Sequence, residues 1–147
     1  MPANLKAPSL DLIQRFAEIT GAANALVRED DQAAFLREWR DLYLGKTPVV
    51  LRPGSTEEVS RILALANAEG VAVVPQAGNT GLVGGQIPSV SGNEIVLSVS
   101  RLRKVRGVDA AGGTMTLEAG VTLAEAQAVA EKAGRLFPLS LASEGSC

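Results

Sequence analysis

Histidine does not occur in this 147-residue chain, and its one cysteine is the last residue, Cys147. A Ser/His/Asp triad, a Cys/His pair and a zinc site built on Cys or His are therefore excluded within it, as is an internal disulfide. Charge of one sign is also lacking: 14 Lys+Arg stand against 16 Asp+Glu, a formal net charge of −2. That balance offers no broad basic field for nucleic acid or anionic lipid. The first thirty residues hold no apolar run of signal-peptide or membrane-span length, and no integral membrane segment is expected. The default expectation is a cytoplasmic protein. Apolar material is plentiful, with 46% hydrophobic residues against 20% charged, which is enough for a core and free of the polar bias of disordered chains. The length fits one domain or a large piece of one.

Residues 1–46 read as helical. Leu12, Ile13, Phe16, Ala17 and Ile19 recur at helical spacing and stop at Gly21, and Phe35, Trp39, Leu42 and Tyr43 repeat the pattern. The aromatic pair Trp39 and Tyr43 is read as the buried stripe of that second helix rather than as a platform for a ring-shaped ligand. From Thr47 the pattern changes. Pro48 to Arg52 predicts a strand, Thr56 to Glu69 a helix, and Val71 to Pro75 a second strand, together a βαβ unit whose right-handed crossover makes the strands parallel. Ser55 and Glu58 have capping-box spacing, and Gly70 stands where a C′ glycine belongs. Strands are predicted at Glu94 to Ser98, Lys104 to Val108 and Thr114 to Ala119, the last two joined by a hairpin loop. Thr122 and Glu125 then open a further helix that ends before Gly134.

Between the second strand and Gln86 lies Pro75-Gln76-Ala77-Gly78-Asn79-Thr80-Gly81-Leu82-Val83-Gly84-Gly85. Glycines in this density let bare backbone approach a ligand, and successive N–H groups turned to one side make a nest for a phosphate or pyrophosphate. The spacing matches neither the P-loop nor the G-x-G-x-x-G fingerprint, and Gly84, Gly85, Pro88 and Gly92 prevent a regular helix from following. No Lys or Arg occurs from Ile62 through Ser100. A bound phosphate is therefore expected to meet chiefly backbone N–H groups with Asn79 and Thr80, which suits a retained dinucleotide better than phosphoryl transfer.

Three segments in register carry a resemblance: Val49-Val50-Leu51-Arg52-Pro53, the loop from Pro75 to Gln86, and Phe137-Pro138-Leu139-Ser140-Leu141-Ala142-Ser143-Glu144-Gly145-Ser146-Cys147. Together they resemble the FAD-linked oxidases of the vanillyl-alcohol oxidase and p-cresol methylhydroxylase (PCMH) fold. The nearest branch is that of D-lactate dehydrogenase, the glycolate oxidase D subunit and D-2-hydroxyglutarate dehydrogenase. The resemblance covers roughly Thr47 to Cys147 and implies an α+β FAD-binding domain of PCMH type, truncated, of which 47–147 is the N-terminal part; the helical segment 1–46 stands before it. Pro75, Gln76, Ala77, Gly78, Asn79, Thr80, Gly81, Leu82 and Gly85 then belong to the segment that wraps the FAD pyrophosphate. Pro138, Leu141, Ser143, Gly145 and Ser146 belong to a second segment that runs past the flavin. Some members bind FAD covalently through a histidine in the first segment; Asn79 stands at about that point, so noncovalent FAD is expected.

The activity implied for the full-length protein is oxidation of a small D-2-hydroxy acid, with hydride passing to the flavin. Its substrate-binding and acid/base residues are expected in later sequence, so no catalytic residue and no metal ligand is assigned here. Two alternatives stand beside this reading: a stand-alone nucleotide-binding module without catalysis, and a flavoenzyme of the same fold acting on another alcohol. Three further features take bland readings. Arg101, Arg103, Lys104 and Arg106 read as a solvated strand edge. Glu29, Asp30 and Asp31 favour a helix start rather than a cation. Cys147 is given no role.

Overall fold

The computed structural model describes residues 7–143 and 145–147. The first helix, α1 (Leu10–Thr20), begins where the Ser9 hydroxyl accepts from the N–H of Leu12 at 3.2 Å, and it stops at Gly21, whose φ of 78° closes the helix. Leu12 and Phe16 face inward. A 3-10 turn (Ala22–Asn24) leads to a two-residue strand, β1 (Ala25–Leu26), that the sequence pattern does not announce. The leader is thus not wholly helical. It continues in α2 (Glu29–Leu36), with Glu29, Asp30 and Asp31 in the first turn, where the macrodipole favours carboxylates.

Beyond residue 47 come β2 (Val50–Leu51), α3 (Thr56–Glu69), β3 (Ala72–Gln76) and β4 (Glu94–Ser98). Helix α3 has the bounds its sequence predicts. The Ser55 hydroxyl accepts from the Glu58 N–H at 3.1 Å, but the Glu58 carboxylate accepts from Gly54 N–H at 2.7 Å, so the reciprocal bond of the capping box falls one residue early. Gly70 is left-handed, with φ 68° and ψ 33°.

The sheet order is β1-β2-β4-β3, with β2 and β3 both parallel to β4 and β1 antiparallel on the outside. The two strands of the βαβ unit are parallel as expected, yet they do not pair; β4 lies between them. Its Ile95 and Val96 are fully buried, and Ile95 belongs to one core cluster with Val49, Leu51, Phe16, Ile62 and Ala66 from the neighbouring segments. Burying each of the larger of these side chains contributes roughly 1.5–3 kcal/mol. Because Leu12, Phe16 and Ala25 belong to this core, the segment that carries them is built into the same body as the residues after 47.

The remaining elements are β5 (Val105–Asp109), β6 (Thr114–Leu117) and α4 (Leu123–Lys132). Strands β5 and β6 form an antiparallel hairpin with a register shift between Val105 and Gly107. Every residue of β5 is exposed, in keeping with a solvated strand, but the arginines around it are not idle. Arg101 donates to Arg52 O at 2.7 Å, Arg103 pairs with Glu125, and Arg106 donates to Thr56 Oγ1 at 2.6 Å and to Glu118 at 3.1 Å. They tie the hairpin to α4 and to the start of α3. Helix α4 carries the full capping box of Thr122 and Glu125 and buries Leu123, Ala126 and Ala130.

The clearest departure from the sequence pattern is in the leader. Helix α2 ends at Leu36, and Trp39, Leu42 and Tyr43 are exposed instead of forming a buried stripe. The cause is Glu38. Its fully buried carboxylate accepts from the N–H groups of Arg40 at 2.9 Å and Leu42 at 2.6 Å, so these donors are unavailable to a continuing helix. Residues 37–44 form a turn closed by an antiparallel bridge between Arg37 and Leu44, with Asp41 at φ 57°.

Candidate nucleotide site

The loop from Ala77 to Gln86 leaves the end of β3 and is anchored at its base by Gln76, which is buried and donates through Nε2 to Phe35 O and to Gln86 O, both at 2.9 Å. Asn79, at φ 56°, donates through Nδ2 to Ala34 O at 3.1 Å and to Arg37 O at 2.8 Å. Leu36 O accepts from Gly45 N–H at 2.8 Å. The carbonyls at the C-terminal end of α2, which have no partners inside the helix, are thus satisfied from outside it, mainly by side chains of this loop. Arg40 adds a bond to Leu82 O, and the Tyr43 ring lies on Gly84, where a Cβ would come within 2.7 Å of it.

Positive φ occurs at Asn79 and Gly84 within the loop, not at each of its glycines. Gly78 serves close approach: a Cβ there would run into the carbonyl oxygen of Ser146. The segment 145–147 therefore passes directly over Gly78, and Cys147 O accepts from the N–H of Leu123 at 2.6 Å, at the start of α4.

Two pockets open along this contact. One, of about 640 Å³, is lined by Trp39, Gly78, Asn79, Thr80 and Leu82 and by Leu141, Ala142, Ser143, Ser146 and Cys147. The other, of about 290 Å³, is lined by Ala77, Gly78, Ser100, Arg103, Thr122 and Gly145 among others. Of the residues singled out by sequence, Ala77, Gly78, Asn79, Thr80, Leu82, Leu141, Ser143, Gly145 and Ser146 come together here. Pro75, Gln76, Gly81, Gly85 and Pro138 line neither pocket, and Gln76 acts at the loop's base.

The donor set suits an anion. Among the described residues, none of the backbone N–H groups from Ala77 through Gln86 donates a hydrogen bond within the chain. They are available to a ligand oxygen, as a nest requires. The side chain of Asn79 is not, since its amide hydrogens are held by α2; it contributes a backbone N–H instead. Thr80 keeps its hydroxyl on the pocket wall. Sequence reasoning missed Trp39, which it placed in a helix stripe, and Arg40, which brings a cation beside a loop that has none of its own. At the rim of the smaller pocket, the backbone N–H of Thr122 and the guanidinium of Arg103 hold the Glu125 carboxyl below its ordinary value. Among the described residues no cluster of His, Cys, Asp or Glu could hold a metal, and no helix is long and apolar enough to cross a membrane.

Residues 47–147 match the family described as FAD binding domain. Among curated proteins, the chain is 39% identical over 142 residues to a mitochondrial Schizosaccharomyces pombe protein whose name places it with the D-lactate dehydrogenases, covering 92% of this chain and 27% of that one. It is 34% identical over 135 residues to the mitochondrial D-2-hydroxyglutarate dehydrogenase of Arabidopsis thaliana, covering 92% and 24%. The chain thus spans about a quarter of the length of these relatives. Among solved structures, alkyldihydroxyacetonephosphate synthase superposes with a TM-score of 0.76 at 19% identity, over 91% of this chain and 27% of that one. Substrate-bound p-cresol methylhydroxylase does so with a TM-score of 0.69 at 15% identity, over 84% and 24%. These last two likenesses concern the fold.

Proposed function

The chain belongs to the FAD binding domain family, and from that membership we propose that it is the pyrophosphate-holding part of a flavin-dependent dehydrogenase that oxidises a small D-2-hydroxy acid. The observation that carries this reading is the loop whose N–H groups from Ala77 through Gln86 are left free of internal bonds beside a pocket of about 640 Å³. The relatives named for D-lactate and D-2-hydroxyglutarate support the substrate class. Residues 47–147 form the N-terminal part of the FAD domain, and residues 1–46 form a leader whose Leu12, Phe16 and Ala25 pack into its core.

In this reading the N–H groups of Ala77, Gly78, Asn79, Thr80, Gly81, Leu82 and Gly85 hold the pyrophosphate oxygens, with the Thr80 hydroxyl as a further donor. Pro75 and Gln76 set the loop's take-off, the latter from its buried position. Pro138, Leu141, Ser143, Gly145 and Ser146 form the opposing wall. Asn79 stands at about the point where some members carry a histidine bonded to flavin, and this supports noncovalent attachment. Bound FAD supplies a hydride acceptor; the protein supplies orientation and a polar cradle. Residues that handle the hydroxy acid belong to sequence outside this chain. For location we propose the cytoplasm, which recovery of the tagged protein in an organelle fraction would overturn.

The test is a titration of FAD followed by flavin fluorescence, with ADP as competitor and Gly78→Glu as control. Saturable binding that ADP competes with and Gly78→Glu abolishes supports the cradle. Absence of binding by the folded chain overturns it. Turnover of D-lactate, glycolate or D-2-hydroxyglutarate by the longer protein, read by reduction of an artificial electron acceptor, tests the substrate class.

A further inference from the structure

The chain has one tryptophan, and it is 71% exposed. A large apolar ring so placed leaves most of its surface in water unless a ligand or another surface covers it. Trp39 lines the pocket of about 640 Å³ together with Gly78, Asn79, Thr80, Leu141 and Ser143, and among the described residues no charged side chain lines that pocket.

The turn that presents Trp39 is more constrained than a surface connection needs. Glu38 is buried without exposure and holds the N–H groups of Arg40 and Leu42, while Asp41 takes a left-handed φ of 57°, an uncommon conformation for a residue with a side chain. The turn is fixed to the loop from both sides, by Asn79 on Arg37 O and by Arg40 on Leu82 O. The Arg40 guanidinium also lies 5.8 Å from the centroid of the Trp39 ring. The indole, with the Arg40 cation over one of its faces, is thus held along a loop with free N–H groups, an arrangement that matches a ring joined to a phosphate.

We propose that Trp39 is a ring-contacting wall of the nucleotide site, packing against one of the two flat rings of bound FAD. The inference rests on the FAD reading above and adds a contact from the leader, outside the residues that match the family. The pocket is bounded on its other side by Leu141 to Ser143, so a ring lying there is flanked by Trp39 and by that segment.

The test compares the 147-residue chain with Trp39→Ala, Trp39→Leu and Trp39→Phe, reading ligand affinity by flavin anisotropy for FAD and riboflavin 5′-phosphate and by calorimetry for ADP. Circular dichroism confirms folding, and Trp39→Leu replaces Trp39→Ala if the latter loses its folded signal. Stacking of a base on an aromatic side chain predicts about ten-fold weaker FAD binding without the ring, largely restored by Trp39→Phe. A loss shared with ADP places the adenine against Trp39; a loss confined to FAD and riboflavin 5′-phosphate places the flavin there. If Trp39→Ala and Trp39→Leu bind FAD within two-fold of wild type, the proposal is overturned while the FAD reading stands, and Trp39 is then a surface for another part of the protein. A folded chain that binds no FAD overturns both.

Discussion

The side-chain amide of Asn79 donates to the carbonyl of Arg37 at 2.8 Å, joining the glycine-rich loop to the end of a helix that precedes it by more than forty residues. The loop therefore does not owe its shape to glycine alone. Its course is set by what the end of α2 needs, and α2 in turn is terminated by what the loop supplies. The candidate site depends on leader residues that have no glycine-rich signature of their own.

Asn79 does two separable things, which two substitutions distinguish. Asn79→Ala removes both bonds and also forces an alanine to φ 56°, so it should destabilise the chain by about 2 kcal/mol. Asn79→Gly removes the bonds but is at ease in the left-handed region, and should cost about 1 kcal/mol less than the alanine variant. Urea unfolding of the two variants measures the difference; equal stabilities would mean that the backbone conformation contributes nothing.

At Gly78 even the smallest side chain should act at a distance from itself. A methyl group there meets the Ser146 carbonyl, so Gly78→Ala must push the segment 145–147 away and with it the bond from Leu123 N–H to Cys147 O. We expect at least ten-fold weaker FAD binding with the sheet core intact, read by flavin fluorescence and amide hydrogen exchange. Unchanged binding would show that the 145–147 segment is not part of the cradle.

Glu38 gives the chain an acid-sensitive turn. Burial pushes its carboxyl up, but the N–H groups of Arg40 and Leu42 and the Arg40 guanidinium pull it further down, so the folded-state pKa lies below the ordinary 4.5. A group lowered by folding stabilises the native state fully above its unfolded value, and that contribution is lost as the pH falls through the folded value. Wild type should therefore melt higher than Glu38→Gln at neutral pH, with the gap closing below about pH 4.5. A gap that stays constant into acid would refute the assignment.

Thr122 is expected to matter in proportion to its cap. Its hydroxyl accepts from the N–H of Glu125 while the Glu125 carboxylate accepts from Thr122 N–H at 2.8 Å. Thr122→Ala should cost about 1 kcal/mol, and Thr122→Ser should recover most of it. Chemical denaturation decides between that and a helix held by its buried Leu123, Ala126 and Ala130 alone.

Where structure follows from local signals, the sequence is a good guide. Ser55, the apolar face of α3 and Gly70 delimit that helix to the residue, and the alternation and turn signals locate β4 and the β5-β6 hairpin. The unread parts all depend on distant partners. Ala25 becomes a strand residue because Leu51 is opposite it, and β4 enters between β2 and β3, which no local pattern encodes. Trp39 and Tyr43 have helical spacing, but a buried carboxylate next to them and an asparagine forty residues later end the helix first. At the site, the glycines and their neighbours reveal the loop, while Arg40 gives no local signal and the helical spacing of Trp39 points to a buried stripe, because proximity to the loop is created by the fold.

The placement of β4 also bears on the order in which the chain can acquire its shape as it is made. When residues up to Gln76 have left the ribosome, β2, α3 and β3 exist with a strand-wide gap between them, and neither strand has its parallel neighbour. Only after Ser98 emerges can Val96 be met by Val50 on one side and Val74 on the other. A nascent chain arrested before that point should behave as a loose helix with β3 unpaired and β2 paired only with the two residues of β1, vulnerable to proteases and to other chains. One arrested just beyond it should already resist both.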